Sequence, residues 1–152
     1  MRQRFLLVHA ARTDPRADGI ADELVAIMQR VLPEANAMVA RSPNEQRLIN
    51  LLTTGQAVLA VLRPELARDA ALERGALGAE GAWPVRLLAW AEDRMLATVE
   101  SFPAHHAWLV AAALIGNPGA LRIRPADARQ GEVPAHPGAA AFARGEPLEA
   151  AR

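Results

Sequence analysis

The chain has 152 residues, of which 51% are hydrophobic and 22% charged, enough apolar material for one ordinary core and too little length for two full lobes. Seventeen basic residues balance seventeen acidic ones, so net charge recommends neither nucleic acid nor an anionic membrane as a partner. With no cysteine, disulfides, thiolate metal sites and a cysteine nucleophile are excluded.

The first apolar stretch, Phe5-Leu6-Leu7-Val8, is far shorter than a signal-peptide core and has no cleavage site after it, so the chain as given is expected to be cytoplasmic, or periplasmic if a leader has been removed. The apolar run Trp108 to Ile115 is too short to span a bilayer, and no membrane insertion is expected. Phe5 to His9 has the pattern of a buried strand. A loop of turn formers follows, and Asp14 caps a helix with Pro15 at its first position and Ile20, Leu24, Ile27 or Met28, and Val31 at helical spacing.

Pro33 closes that helix, and Asn36 to Ala40 is a second short strand. Ser42-Pro43-Asn44-Glu45 has the form of a capping box with Ser42 as the cap, starting a helix that turns Leu48, Leu51 and Leu52 inward and stops at Thr54-Gly55. Gln56 to Leu62 is an almost unbroken apolar run, the mark of a central strand covered on both faces. Arg63-Pro64 ends it, and a helix over Glu65 to Leu72 leads into a Gly-rich loop from Gly75 to Gly81.

Two further strands, Val85 to Ala89 and Met95 to Glu100, flank the turn Glu92-Asp93-Arg94, whose acidic pair is expected at a solvated hairpin tip. Phe102-Pro103 opens a helix through Ile115, ended by Gly116-Asn117-Pro118, and a short helix is expected at Pro137 to Arg144. The fold class is therefore α/β: a three-layer α/β/α domain with a mostly parallel sheet, a lobe over residues 1–145 and a loose tail over residues 146–152.

In such sheets ligands bind beyond the carboxyl ends of the strands. Three loops meet there, and each carries an arginine: Arg12, Arg41 and Arg63. A guanidinium grips a carboxylate through two parallel hydrogen bonds, so these are candidate anchors for a small carboxylate, with Arg63, at the end of the most buried strand, foremost. Ser42, Asn44 and Thr13 are candidate donors, and His9 is expected at a strand end facing the pocket.

The four histidines lack metal-ligand spacing, since adjacent His105 and His106 diverge on a helix and neither has a ligand four positions on; no metal is expected. The first loop, Ala10-Ala11-Arg12-Thr13-Asp14, lacks the glycines of a pyrophosphate-binding turn, and no GxSxG elbow or Ser–His pairing is present. No cofactor and no covalent chemistry are expected. Trp83, Trp90 and Trp108 are assigned mostly to the core, with Trp90 a candidate for the pocket wall or a subunit contact.

The order of three segments, NLLTTGQAVLAVLRPELA, then VRLLAWAEDRMLATVESFPAHHAWLVAAALI, then HPGAAAF, resembles the solute receptors of the TAXI branch of the TRAP transporters, with matches at Leu52 to Val61, Phe102 to Ala107 and His136 to Ala139. The resemblance covers nearly the whole chain but accounts for only the first of that family's two lobes and its closing segment. It implies a periplasmic-binding-protein-like lobe whose ligand is a small organic acid or amino acid, with the second lobe absent between Leu72 and Val85. A lone lobe offers half a site, which implies either a shallow pocket or a homodimer in which a second copy supplies the opposing wall. The alternative is a protein-interaction or regulatory module that has lost ligand binding and acts as a homodimer or enzyme subunit; its sign is arginine ends turned into a protein interface or paired to internal carboxylates.

Overall fold

β1 (Leu7–Ala11) forms where four of five consecutive residues are buried, and its small residues Ala10 and Ala11 let it run two residues beyond the strand expected from the sequence. In the computed structural model, which describes residues 5–73, 83–127 and 133–151, the remaining elements follow in the order α1 (Pro15–Val31), β2 (Met38–Ser42), α2 (Glu45–Thr53), β3 (Leu59–Leu62), α3 (Pro64–Glu73), β4 (Val85–Ala91), β5 (Arg94–Val99), α4 (Ala104–Gly116), β6 (Ile123–Pro125) and α5 (Pro137–Ala143). Three-residue and four-residue 3-10 turns occupy Pro33–Ala35 and Leu148–Ala151. The Gly-rich loop Gly75 to Gly81 lies outside the described residues.

The sheet order is β2-β1-β3-β5-β4-β6. β2, β1 and β3 are parallel, as the alternation of strand and helix requires, while β5, β4 and β6 join by antiparallel pairing, so the sheet is mixed. α1 packs on α4, which packs in turn on α5, while α2 covers the opposite face together with α3, giving the expected three layers. Every residue of β3 is buried, so this central strand is covered on both faces. Burying Leu59, Val61 and Leu62 contributes roughly 1.5–3 kcal/mol each before the entropy of ordering them is subtracted.

Two expectations are corrected. Ser42 does not cap α2: β2 continues through it in register with Ala11, its carbonyl accepts from the Arg12 amide at 2.8 Å, and its side chain is buried. Asn44, extended at φ −153°, is the cap instead, its side chain accepting from the Arg47 amide at 2.8 Å. Residues 146–151 are not a loose tail, because the Trp108 indole donates to the Glu146 carbonyl at 2.9 Å and the turn that follows buries Ala151 against α4.

The outer edge of β4 is covered in two stretches separated by an irregularity between Leu87 and Ala89. β6 pairs with Ala89 to Ala91, and the segment before α5 bonds to Leu87, whose amide donates to the Pro134 carbonyl and whose carbonyl accepts from the His136 amide, both at 2.8 Å. His136 is then tied down completely. Its Nδ1 accepts from the Gly138 amide at 3.1 Å, capping α5, and its Nε2–H donates to the Phe102 carbonyl at 2.7 Å.

Burial pushes the His136 imidazole below its ordinary value, aided by the Arg86 charge and opposed by the bond to Phe102. Burial alone does the same to His9. A protein that keeps these rings neutral when folded loses stability on acidification, because below about pH 6.5 the unfolded chain takes up protons that the folded chain does not. Urea-unfolding free energy is expected to fall between pH ~7 and ~5, and His136→Asn, which can still cap but does not titrate, is expected to flatten part of that slope. A slope unchanged in the variant would count against the ring's role. At Gly138 an added Cβ would sit 2.0 Å from the Ala104 carbonyl oxygen, a backbone atom that cannot step aside. Gly138→Ala is expected to cost about 3 kcal/mol in the same assay.

Candidate functional site

The carboxyl ends of β1, β2 and β3 bring Arg12, Arg41 and Arg63 to one end of the sheet, and the three differ sharply in what they meet. Arg12 and Thr13 are exposed in the first loop, and no ion pair is formed by Arg12 among the described residues. Arg41 turns back onto α1, its Nε donating to Asp18 at 2.8 Å and its Nη2 to Asp22 at 3.0 Å. Arg63 is gripped by Glu45, the first residue of α2, through two bonds of 2.9 and 3.0 Å, and that pairing raises its pKa above the ordinary arginine value.

His9 is placed differently from expectation. Because β1 runs on to Ala11, His9 lies mid-strand between Ala40 and Ala60 and is buried, short of the loops. Asn44 is exposed but spends its side-chain oxygen on the α2 cap, and Ser42 is buried in the ladder.

The strongest electrostatic feature at this end is a pair not expected from the sequence. Arg94, the first residue of β5, donates from Nε to Asp14 Oδ2 at 3.0 Å and from Nη2 to Asp14 Oδ1 at 3.1 Å. The side chains are only 13% and 9% exposed. Asp14 also accepts from the Ala17 amide at 3.1 Å, so one carboxylate caps α1 and clamps β5. Desolvation would raise its pKa, but the Arg94 and Ala17 hydrogen bonds and the nearby guanidinium charges outweigh that and hold it below the usual carboxylate range.

The hairpin tip is tied in as well. Asp93 accepts from Arg16 at 2.6 Å and lies 3.0 Å from Arg94, and its carboxyl is held down chiefly by the Arg16 bond. It therefore bonds to α1 as well as facing solvent.

Open space lies beside this network. A cavity of about 150 Å³ sits where β3 ends, lined among the described residues by Pro64, Glu65 and Arg68 of α3, by Leu87, Trp90 and Met95 of the β4–β5 hairpin, and by Val133. Leu87, Trp90, Met95 and Val133 are all buried and form an apolar floor, while Glu65 and Arg68 are exposed at the rim. Trp90 is fixed in place, its indole N–H donating to Asp127 at 2.6 Å with the Arg124 guanidinium over its ring.

A larger cleft of about 300 Å³ between α2 and α3 is lined by Gln46, Ile49, Leu66, Asp69, Ala70 and Glu73. It touches no strand end, and its charged lining is wholly acidic, which disfavours an anion. The smaller cavity is the better candidate. Of the seven residues expected at a site none lines it, although the third expected loop reaches it through Pro64 and Glu65. Among the described residues no cluster of three potential metal ligands occurs, and no helix is long and apolar enough to cross a membrane.

The Asp14–Arg94 pair makes a direct prediction. Asp14→Ala strands a mostly buried guanidinium and removes a helix cap, and is expected to cost about 3–5 kcal/mol in urea unfolding. Asp14→Asn keeps the cap and is expected to cost less. Equal losses in the two variants would show that the cap contributes nothing.

Comparison with protein-family profiles, with curated proteins and with solved structures finds no match for this chain, so the functional reading rests on the site itself.

Proposed function

We propose that the chain is a non-catalytic binding domain for a small carboxylate or amino-acid-like molecule, held in the cavity where β3 runs into α3. The observation that carries this reading is the cavity's construction at that place: a buried apolar floor under a charged rim, at the carboxyl end of the most buried strand. Arg68 is the anchor. Among the described residues its one ion-pair partner is Asp69, at 4.0 Å from its Nε, whereas Arg41 and Arg63 are already hydrogen-bonded to carboxylates. Among the described residues, the lining offers no nucleophile with a base beside it, which supports a role without covalent chemistry.

The order of segments, resembling a TAXI-type receptor lobe, agrees with this reading, as does the size of the site. At about 150 Å³ the cavity is smaller than the roughly 300–1,000 Å³ of enclosed ligand sites, the condition of a lobe without its opposing wall. Binding near ~1 mM is expected for so few buried ligand atoms.

A second reading is favoured by one observation. Arg41, Arg63 and Arg94 all pair with internal carboxylates, as expected of a lobe that serves as a cytoplasmic interaction or regulatory module, paired with a second copy of itself or with an enzyme. Phe5 and Met38, each about half exposed near the free edge of β2, would then lie toward the partner.

A thermal-shift panel of small carboxylates and amino acids at millimolar concentration separates the two. The binding reading expects at least one compound to raise the melting temperature, with Arg68→Ala abolishing the rise and Arg63→Ala lowering the starting value but keeping it. Loss of the response in Arg63→Ala alone would move the anchor to the strand-end loops. A wholly silent panel together with a dimer mass by light scattering would favour the interaction module.

A further inference from the structure

We infer that the cavity reads both charges of its ligand, and that its occupant is a small apolar α-amino acid rather than a simple carboxylate. The inference rests on the binding reading above and specifies the ligand's class. Glu65 and Arg68 both line the cavity and stand three positions apart in the first turns of α3, a spacing that puts two side chains on one helix face with Cβ atoms roughly 5–6 Å apart. They carry opposite charges. Among the described residues they form no ion pair with each other, and neither makes a side-chain hydrogen bond.

Most of the acids at this end of the molecule are engaged otherwise. Asp14, Asp18, Asp22, Glu45, Asp93, Arg16, Arg41, Arg63 and Arg94 are all engaged in hydrogen-bonded ion pairs with one another. The cavity's rim is where an acid and a base are left facing a common space. An ammonium donates to the Glu65 carboxylate and a carboxylate accepts from the Arg68 guanidinium, so a zwitterion satisfies both where a monoanion leaves Glu65 facing its own charge.

The floor sets the rest of the molecule. Leu87, Trp90, Met95 and Val133 present only carbon and sulfur surface and one indole whose N–H is already committed to Asp127, so nothing there rewards a polar side chain. A volume of about 150 Å³ holds a side chain of about four to six carbons, the size of a branched aliphatic group or a phenyl ring.

The test uses the full chain and follows both melting temperature and the Trp90 indole N–H resonance, assigned by its loss in Trp90→Phe. The probes are leucine, its deaminated analogue isocaproate, its decarboxylated analogue isoamylamine, and neutral isoamyl alcohol. Leucine is expected to bind at least about tenfold tighter than any of the other three. Glu65→Gln is expected to weaken leucine about tenfold and leave isocaproate unchanged, and Arg68→Gln to weaken leucine and leave isoamylamine unchanged. Equal binding of leucine and isocaproate, with Glu65→Gln without effect, would overturn the zwitterion while the carboxylate site stood. Isoamyl alcohol binding as well as leucine would reduce the cavity to an apolar void. If no probe moved the Trp90 resonance, the inference and the binding reading would fail together.

Discussion

Taking a carboxylate and a guanidinium out of water is unfavourable unless nearly every lone pair and proton finds a partner, and the Asp14–Arg94 pair meets that condition. Asp14 accepts from Arg94 twice and from the Ala17 amide, and Arg94 has Asp93 beside it as well. The position matters more than the energy. Asp14 stands at the end of the first parallel strand, and Arg94 begins the antiparallel strand beside β3, so the pair bridges over the carboxyl end of β3 and fixes the two halves of the sheet to each other. A carboxylate of the protein itself occupies the N-terminus of α1, and the cavity at the strand ends lies further along, under Arg68.

The same arrangement repeats at lower burial. Arg41 is met by Asp18 and Asp22 near the start of α1, and Arg63 by Glu45 at the start of α2, acids placed where the helix dipole favours them. These pairs are a quarter to more than half exposed, so each contributes at most about 1 kcal/mol. Their larger effect is on specificity. An arginine already forked onto a carboxylate offers little to a ligand that must displace it, and the list of free anchors shrinks accordingly.

The parallel half of the fold was legible because its helices and strands differ in period, and of the apolar run from Gln56 to Leu62 the last four residues, Leu59–Leu62, form the covered strand. Strand ends were harder to place. Ala10 and Ala11 look like loop residues in isolation, and what makes them strand is pairing with Arg41 and Ser42 thirty-one positions away. The same pairing pulled Ser42 into the ladder and left the cap to Asn44. β6 carries no signal of its own in Ile123–Pro125; it exists because the end of β4 needs a neighbour. The site was half visible, since the loop at Arg63 to Glu65 was in view and Trp90 was a candidate for the pocket wall, but Arg68 lies a turn further into the helix and Met95 arrives from a hairpin. Arg63's engagement by Glu45 depends on how β3 and α2 lie together, which spacing along the chain does not reveal.

Leu52 to Val61, Phe102 to Ala107 and His136 to Ala139 all serve packing. Phe102 lends its carbonyl to His136, Ala104 lies against Gly138 with no room for a side chain, and Leu52 to Val61 supply buried leucines, alanine and valine to the core. Phe102 and His136 also meet edge to face, with ring centroids 6.4 Å apart. Such residues are demanded by packing: a glycine where only a glycine fits, and a histidine whose two nitrogens join two helix starts. They bear on architecture and leave ligand chemistry open. The chemistry must then be sought in charged groups that packing does not consume, and at the end of the sheet where ligands bind these include Arg12, out in solvent, and the Glu65–Arg68 couple over an apolar floor. Among the described residues, the cavity of about 150 Å³ lies beneath the couple and not beneath Arg12.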